Sequence, residues 1–455
     1  MTLGEIATVV GGAVDPSESG RLVSGEAFVD SRAPVDGGLF VALAGERVDG
    51  HAYAAAAVAG GAAGVLASRP LDQPVVVVDD VLAALGRLAT HVMTTMVDAI
   101  VVGVTGSQGK TTTKDMLGDI LGTRAPTVAA RESQNNELGV PLTALRVVPG
   151  TRYVVSEMGA RGMGHIAYLA AIMRPRVGVV LNVGVAHLGE FGSQEGIAAA
   201  KGELVEALPH DGIAVLNADD PRVVAMAART SAAAVTFGRA EDADLRVDQV
   251  GLDPQGRVTM GLRWRGAEGD VTMDYLGKHH AMNAAAAAAA ALGLGFALDE
   301  VVQALRASRP RSKWRMQMTS SPGGVLVVND TYNANPDSMR AALQALVHIA
   351  GRRSGSRTVA VLGEMCELGD TSHLEHVAVG RLVAALGISA LVVVGEAARP
   401  MLEGVALDPA WSVLRGALNE GDVVLVKASR AVGLEGLAAA LVAEPAPITR
   451  TDGGR

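Results

Sequence analysis

Along most of the chain, short runs of Val, Ile and Leu alternate with longer stretches in which apolar residues recur every three or four positions. The first pattern is that of strands buried on both faces and the second that of helices packed on one side, so their alternation predicts parallel sheets with crossover helices. Strands are expected at 99–105, 153–157, 177–182, 213–217, 358–363, 391–395 and 423–427. The fold class read from this pattern is α/β.

The opening residues MTLGEIATVVGG have helical spacing and end in a glycine pair, which predicts a short amphipathic helix and a turn. They include Glu5 and lack a basic leading segment, so they do not read as a signal peptide. After a strand at 74–78, Asp79-Asp80 opens a helical stretch to about Met93. Near Arg309-Pro310-Arg311-Ser312 a proline between basic residues ends a helix, and strand-like text resumes. A single hydrophobic core stops growing at roughly 250–300 residues. The 455 residues are therefore expected to form three domains, 1–83, 84–312 and 313–455.

Composition narrows the function classes. A formal net charge of −9 argues against a general nucleic-acid-binding face, which needs clustered basic residues to displace counterions, so any phosphate recognition is expected to be local. The single cysteine, Cys366, has no intramolecular partner, and a reducing, cytoplasmic setting is expected. No apolar run approaches the ~20 residues of a membrane span.

The most specific local signal is the strand at 99–105 running into Gly106-Ser107-Gln108-Gly109-Lys110-Thr111-Thr112 and then helical text. Glycines let the backbone wrap a phosphate, the helix start points free N–H groups at it, Lys110 adds a mobile charge, and the Thr111 hydroxyl suits Mg²⁺. A nucleotide triphosphate site follows. The general phosphate-loop pattern places a glycine six residues before the lysine, where this chain has Val104, with glycines at Gly103 and Gly106 instead.

That variant, Thr105 to Thr112, resembles the phosphate loop of the Mur ligases. Further segments follow in that family's order: Asn135-Asn136-Glu137, Glu157-Met-Gly-Ala-Arg161, Asn182-Val-Gly-Val-Ala-His187, Ala200-Lys201-Gly-Glu203, His279-His280-Ala-Met-Asn283 and Asp330-Thr-Tyr-Asn-Ala-Asn-Pro-Asp-Ser-Met339. The Asn-Asn-Glu and Asp330–Met339 segments look most like the family member that adds D-alanyl-D-alanine.

The resemblance implies three domains: an N-terminal UDP-sugar domain, a central phosphate-loop ATPase-like parallel sheet, and a C-terminal Rossmann-like domain for D-alanyl-D-alanine. It implies an ATP- and Mg²⁺-dependent ligase, acting as a cytoplasmic monomer in peptidoglycan synthesis, that joins D-alanyl-D-alanine to UDP-N-acetylmuramoyl-tripeptide. Lys110, Glu157, His187 and Lys201 would be catalytic, with Thr111, Glu157, His187 and a carbamylated Lys201 around the metal. Asn283, Arg315 and Asp330 would join Gly106–Thr112 on the nucleotide, and Asp30, Ser31, Arg32, Asn136, Asn333, Asn335 and Ser338 would meet the substrates.

Without the resemblance these residues keep blander readings. Glu157 is a carboxyl at a strand end, suited to a metal or to capping. His187 reads as a turn histidine and Lys201 as a solvated helical lysine. Asn283 reads as a helix cap, and the Asn-rich segment at 333–338 as a turn. Two rival functions remain at this stage: another amide ligase of the superfamily, such as a different Mur ligase or a folylpolyglutamate synthetase, and a non-catalytic ATP-binding module.

Overall fold

The computed structural model describes residues 1–45, 48–184, 191–253, 256–353, 355–403 and 418–443. The chain opens with the helix Leu3–Val10. Thr2 and Glu5 close a capping box at its start, and Gly11 ends it in the left-handed region at φ 65°. Three sheets follow in chain order.

The first sheet has five strands, Ala13–Val14, Val75–Val77, Gly64–Ala67, Leu39–Val41 and Ala27–Phe28, parallel except for the first pair. The helix Val81–Thr95, capped by the Asp80 side chain on the Ala83 N–H, leads out of it. The middle sheet has nine strands. Its parallel part runs Thr127–Ala129, Tyr153–Glu157, Ile100–Thr105, Val177–Val180, Ile213–Asn217 and Ala233–Gly238. These strands are Val-rich because helices cover both faces; every residue of Tyr153–Glu157 is buried.

An extension, Leu245–Leu252, Arg257–Trp264 and Ala267–Leu276, whose first strand lies parallel to Ala233–Gly238 and whose own pairings are antiparallel, was not expected from the apolar runs. Its strands alternate buried and exposed residues, a period-two pattern that sequence runs of Val and Ile do not mark. Packed on the middle sheet is the helix His279–Gly293, in which every residue from Ala284 to Ala291 is alanine and fully buried.

The third sheet has five strands, Gln317–Ser320, Leu326–Asp330, Val423–Lys427, Thr358–Gly363 and Ala390–Val394, again parallel except at one edge. Segment 308–316 joins the helix Leu298–Ala307 to this sheet. Parallel strands put their C-terminal ends along one rim, where ligands of open α/β sheets bind. No helix among the described residues is long and apolar enough to cross a membrane.

Candidate active site

A cleft of about 890 Å³ lies between the rims of the second and third sheets. The phosphate loop lines it, joining the strand Ile100–Thr105 to the helix Lys110–Gly122. Gly109 adopts φ 83°, and a Cβ there would stand 2.2 Å from Asn283 Oδ1, so only glycine fits. Asn283 lies one turn inside the helix that starts at His279, so it packs on the loop and does not cap the helix.

Asn182 holds the loop from the neighbouring strand end. Its Oδ1 accepts from the Gln108 N–H at 3.1 Å, its Nδ2 donates to the Gln108 carbonyl at 3.2 Å, and its carbonyl accepts from the Ser107 N–H. Ser107 Oγ in turn accepts from the Gly184 N–H. Lys110 Nζ folds back onto the Gly106 carbonyl at 2.7 Å. Burial lowers the lysine's pKa, the Glu157 charge opposes this, and Arg315 adds to it.

Glu157, at the end of its strand, is 1% exposed. Its Oε1 accepts from Asn135 Nδ2 at 2.7 Å, while Oε2 is buried with no hydrogen-bond partner. A bare buried carboxyl oxygen calls for a proton or a cation. Beside it, Thr111 Oγ1 lies 3.0 Å from Ser133 Oγ, and Arg315 Nη2 donates to both hydroxyls at 3.0 and 3.1 Å.

Among the described residues no cluster of three or more His, Cys, Asp or Glu surrounds a point. The Thr111 hydroxyl and the free Glu157 oxygen therefore fit an ion that keeps waters and takes phosphate oxygens, as Mg²⁺ does, better than a metal caged by protein. Lys201, on the helix Gln194–Glu206, is 5% exposed and lines the same cleft. Burial, with the Lys110 charge added, drives its pKa well below the ordinary lysine value. Such an amine sheds its proton readily and becomes nucleophilic. His187 lies outside the described residues.

The third domain supplies the opposite wall. Arg315 stacks on Tyr332 at 4.2 Å, and its Nε is buried without a partner. Asp330 faces the cleft with both oxygens engaged: Oδ2 accepts from the buried Lys427 Nζ at 2.6 Å and Oδ1 from the Met316 N–H at 3.1 Å. Asn335 and Ser338 cap the helix Pro336–Ala350 reciprocally. Asn333 Oδ1 accepts from the Ala334 N–H, and Asn136 Oδ1 accepts from the N–H groups of Leu138 and Gly139. All four line the cleft while holding local structure.

Asp30, Ser31 and Arg32 do not line it; Asp30 and Arg32 pair with each other on an exposed turn of the first domain. Cys366 lines the cleft half-buried, and burial raises its thiol pKa. Sequence reasoning missed Ser133 and Asn135. Asn135 stood inside the quoted Asn-Asn-Glu segment, but only the fold shows which of the two asparagines meets Glu157.

Residues 104–291 match the Mur ligase middle domain and residues 314–430 the Mur ligase, glutamate ligase domain. The UDP-N-acetylmuramoyl-tripeptide--D-alanyl-D-alanine ligase of Mycobacterium tuberculosis is 45% identical, covering 98% of each chain. The chain belongs to the Mur ligase family.

The like-named enzyme of Escherichia coli is 38% identical over 81% of this chain and 80% of its own. Among solved Mur ligases, MurF from Acinetobacter baumannii superposes with a TM-score of 0.84 at 34% identity, over 97% of this chain and 98% of its own. MurF from Thermotoga maritima, solved in complex with ADP, gives 0.75 at 30% identity, over 91% and 96%.

Proposed function

We propose that this chain is the ATP-dependent ligase that joins D-alanyl-D-alanine to UDP-N-acetylmuramoyl-tripeptide in peptidoglycan synthesis, working as a cytoplasmic monomer. The observation that carries this reading is a cleft shared by Lys110, Glu157 and Lys201 of the second domain and Arg315 of the third. Similarity over 98% of each chain to the Mycobacterium tuberculosis enzyme of that name supports this acceptor over those of other superfamily ligases.

A carboxylate is a poor electrophile, so amide formation requires its activation. The tripeptide carboxylate attacks the γ-phosphorus of ATP, ADP leaves, and an acyl phosphate forms. The amine of D-alanyl-D-alanine then adds to the acyl carbon, phosphate departs with its electron pair, and the amine loses a proton. Lys110 and Arg315 stabilise the phosphoryl charge, and a cleft walled by two domains excludes the water that would hydrolyse the acyl phosphate.

Mg²⁺, held through Thr111 and Glu157, would neutralise phosphate oxygens, and His187 would serve a second Mg²⁺, as the family resemblance implies. Lys201, with its depressed pKa, suits carbamylation by CO₂, which would convert its neutral amine into an anionic group at the metal. Asn283 would meet the nucleotide base. Asp30, Ser31 and Arg32 would meet the UDP-sugar on the first domain, and Asn136, Asn333, Asn335 and Ser338 the peptide substrates. The domains proposed are 1–83 for UDP-sugar, 84–312 for ATP and 313–455 for D-alanyl-D-alanine.

Mg²⁺-dependent phosphate release from ATP, measured with the UDP-tripeptide and either D-alanyl-D-alanine, single amino acids or no acceptor, tests this reading when product mass is followed. Turnover and mass gain with the dipeptide alone are expected. Turnover with a single amino acid would move the chain elsewhere in the family.

A further inference from the structure

The phosphate-loop helix Lys110–Gly122 carries Thr111, Asp115 and Asp119 four residues apart, a spacing that sets them on one face. Each meets the segment that connects the second and third domains. Arg315 Nη2 donates to Thr111 Oγ1 at 3.0 Å, and Ser312 Oγ donates to Asp115 Oδ2 at 2.8 Å. At Asp119, Ser308 Oγ donates to Oδ2 at 2.6 Å, and the Arg311 guanidinium pairs with Oδ1. Helix numbers rise as connector numbers fall, so the two segments form an antiparallel ladder with its top rung at the phosphate loop.

The bottom of the ladder is anchored. Ser308 is 2% exposed and its hydroxyl lies 3.0 Å from that of buried Tyr275, so this end belongs to the core of the second domain. At the top, Arg315 leaves the ladder stacked on Tyr332 of the third domain and lines the cleft. Asp115 is additionally held by Lys114, whose Nζ lies 2.6 Å from its Oδ1. Asp119 and Ser312 do not line the cleft.

We propose that Asp119 and Ser312 are positioning residues for ligation, acting through Arg315: the ladder sets where the guanidinium stands relative to the phosphate loop. This rests on the cleft being the ATP site described above. Connectors between domains are where hinge rotation is absorbed, and a reacting group displaced by about 1 Å can lose a hundredfold in rate. A connector pinned at three heights along the helix that carries Lys110 leaves Arg315 little freedom relative to it.

The test is a double-mutant cycle on turnover. Asp119→Asn and Ser312→Ala are combined, placed in wild-type and Arg315→Ala backgrounds, and assayed with ATP, UDP-tripeptide and D-alanyl-D-alanine, with thermal melts alongside. The pair is expected to lower kcat roughly tenfold or more, leave KM for the UDP-tripeptide within about twofold, and add nothing in the Arg315→Ala background. Arg311→Ala, whose side chain stands mostly in solvent, replaces Asp119→Asn if that variant does not fold. Unchanged kcat, or losses that multiply with Arg315→Ala, overturn the proposal. A wild-type protein that forms no product sinks the functional reading and this inference with it, before any variant is made.

Discussion

Asn182 and Gln108 exchange two hydrogen bonds, amide oxygen to main-chain N–H and amide nitrogen to main-chain carbonyl, so a side chain from one strand end completes the turn that precedes Lys110. A loop held this way keeps its N–H groups arranged before any phosphate arrives. Asn182→Ala removes both bonds at about 1 kcal/mol each. ADP affinity, measured by calorimetry, is expected to fall about tenfold or more, with only a small change in melting temperature.

Asn135 satisfies one oxygen of Glu157 while the other has no partner. In Asn135→Ala both oxygens are unsatisfied and the carboxyl is free to turn. Stability without ligand should drop by about 1–3 kcal/mol in urea melts. The Mg²⁺ concentration giving half-maximal turnover should rise. If the Mg²⁺ curve does not move, Glu157 is not a metal ligand.

Gly109→Ala combines a left-handed φ of 83° with a methyl group placed 2.2 Å from Asn283 Oδ1. The backbone term alone costs about 1–2 kcal/mol. Nucleotide binding should be lost, and adding Asn283→Ala should relieve the clash without restoring binding, because the dihedral penalty remains. Calorimetry with ADP reads both.

His280 is buried beside His279 and Tyr275, and burial, with His279 and Arg315 adding to it, holds its pKa well below 6.5. The unfolded chain therefore takes up this proton first. The stability that neutral His280 contributes is complete above pH 6.5 and is lost as pH falls below it, at up to about 1.4 kcal/mol per pH unit. Melts between pH 7 and 5 should show a shallower slope in His280→Gln than in the wild type.

The parallel cores were legible because their strands are short segments rich in Val, Ile and Leu, and 153–157, 213–217, 358–363 and 423–427 match the observed strands residue for residue. The antiparallel extension was not, because alternation such as Val271-Thr272-Met273-Asp274-Tyr275 looks locally like mixed polar text. At the site, the phosphate loop announces itself by spacing. Ser133 and Asp119 do not, since a serine's or an aspartate's role depends on what the fold carries to it from 182 or 192 residues away. Asp330 was legible as a motif residue, but its pairing with Lys427, 97 residues further along, was not.

The alanine run 284–291 acts as a spacer of fixed gauge. Methyl groups on every side of a buried helix let neighbouring backbones close in tightly, and a core packed to that clearance has no room to accept larger groups. Asn283, at the head of the run, sits against Gly109 at a separation set by this gauge. A side chain larger than alanine in this segment would overpack the helix against its neighbours. A single valine inserted there would be expected to weaken nucleotide binding from a place that touches no ligand.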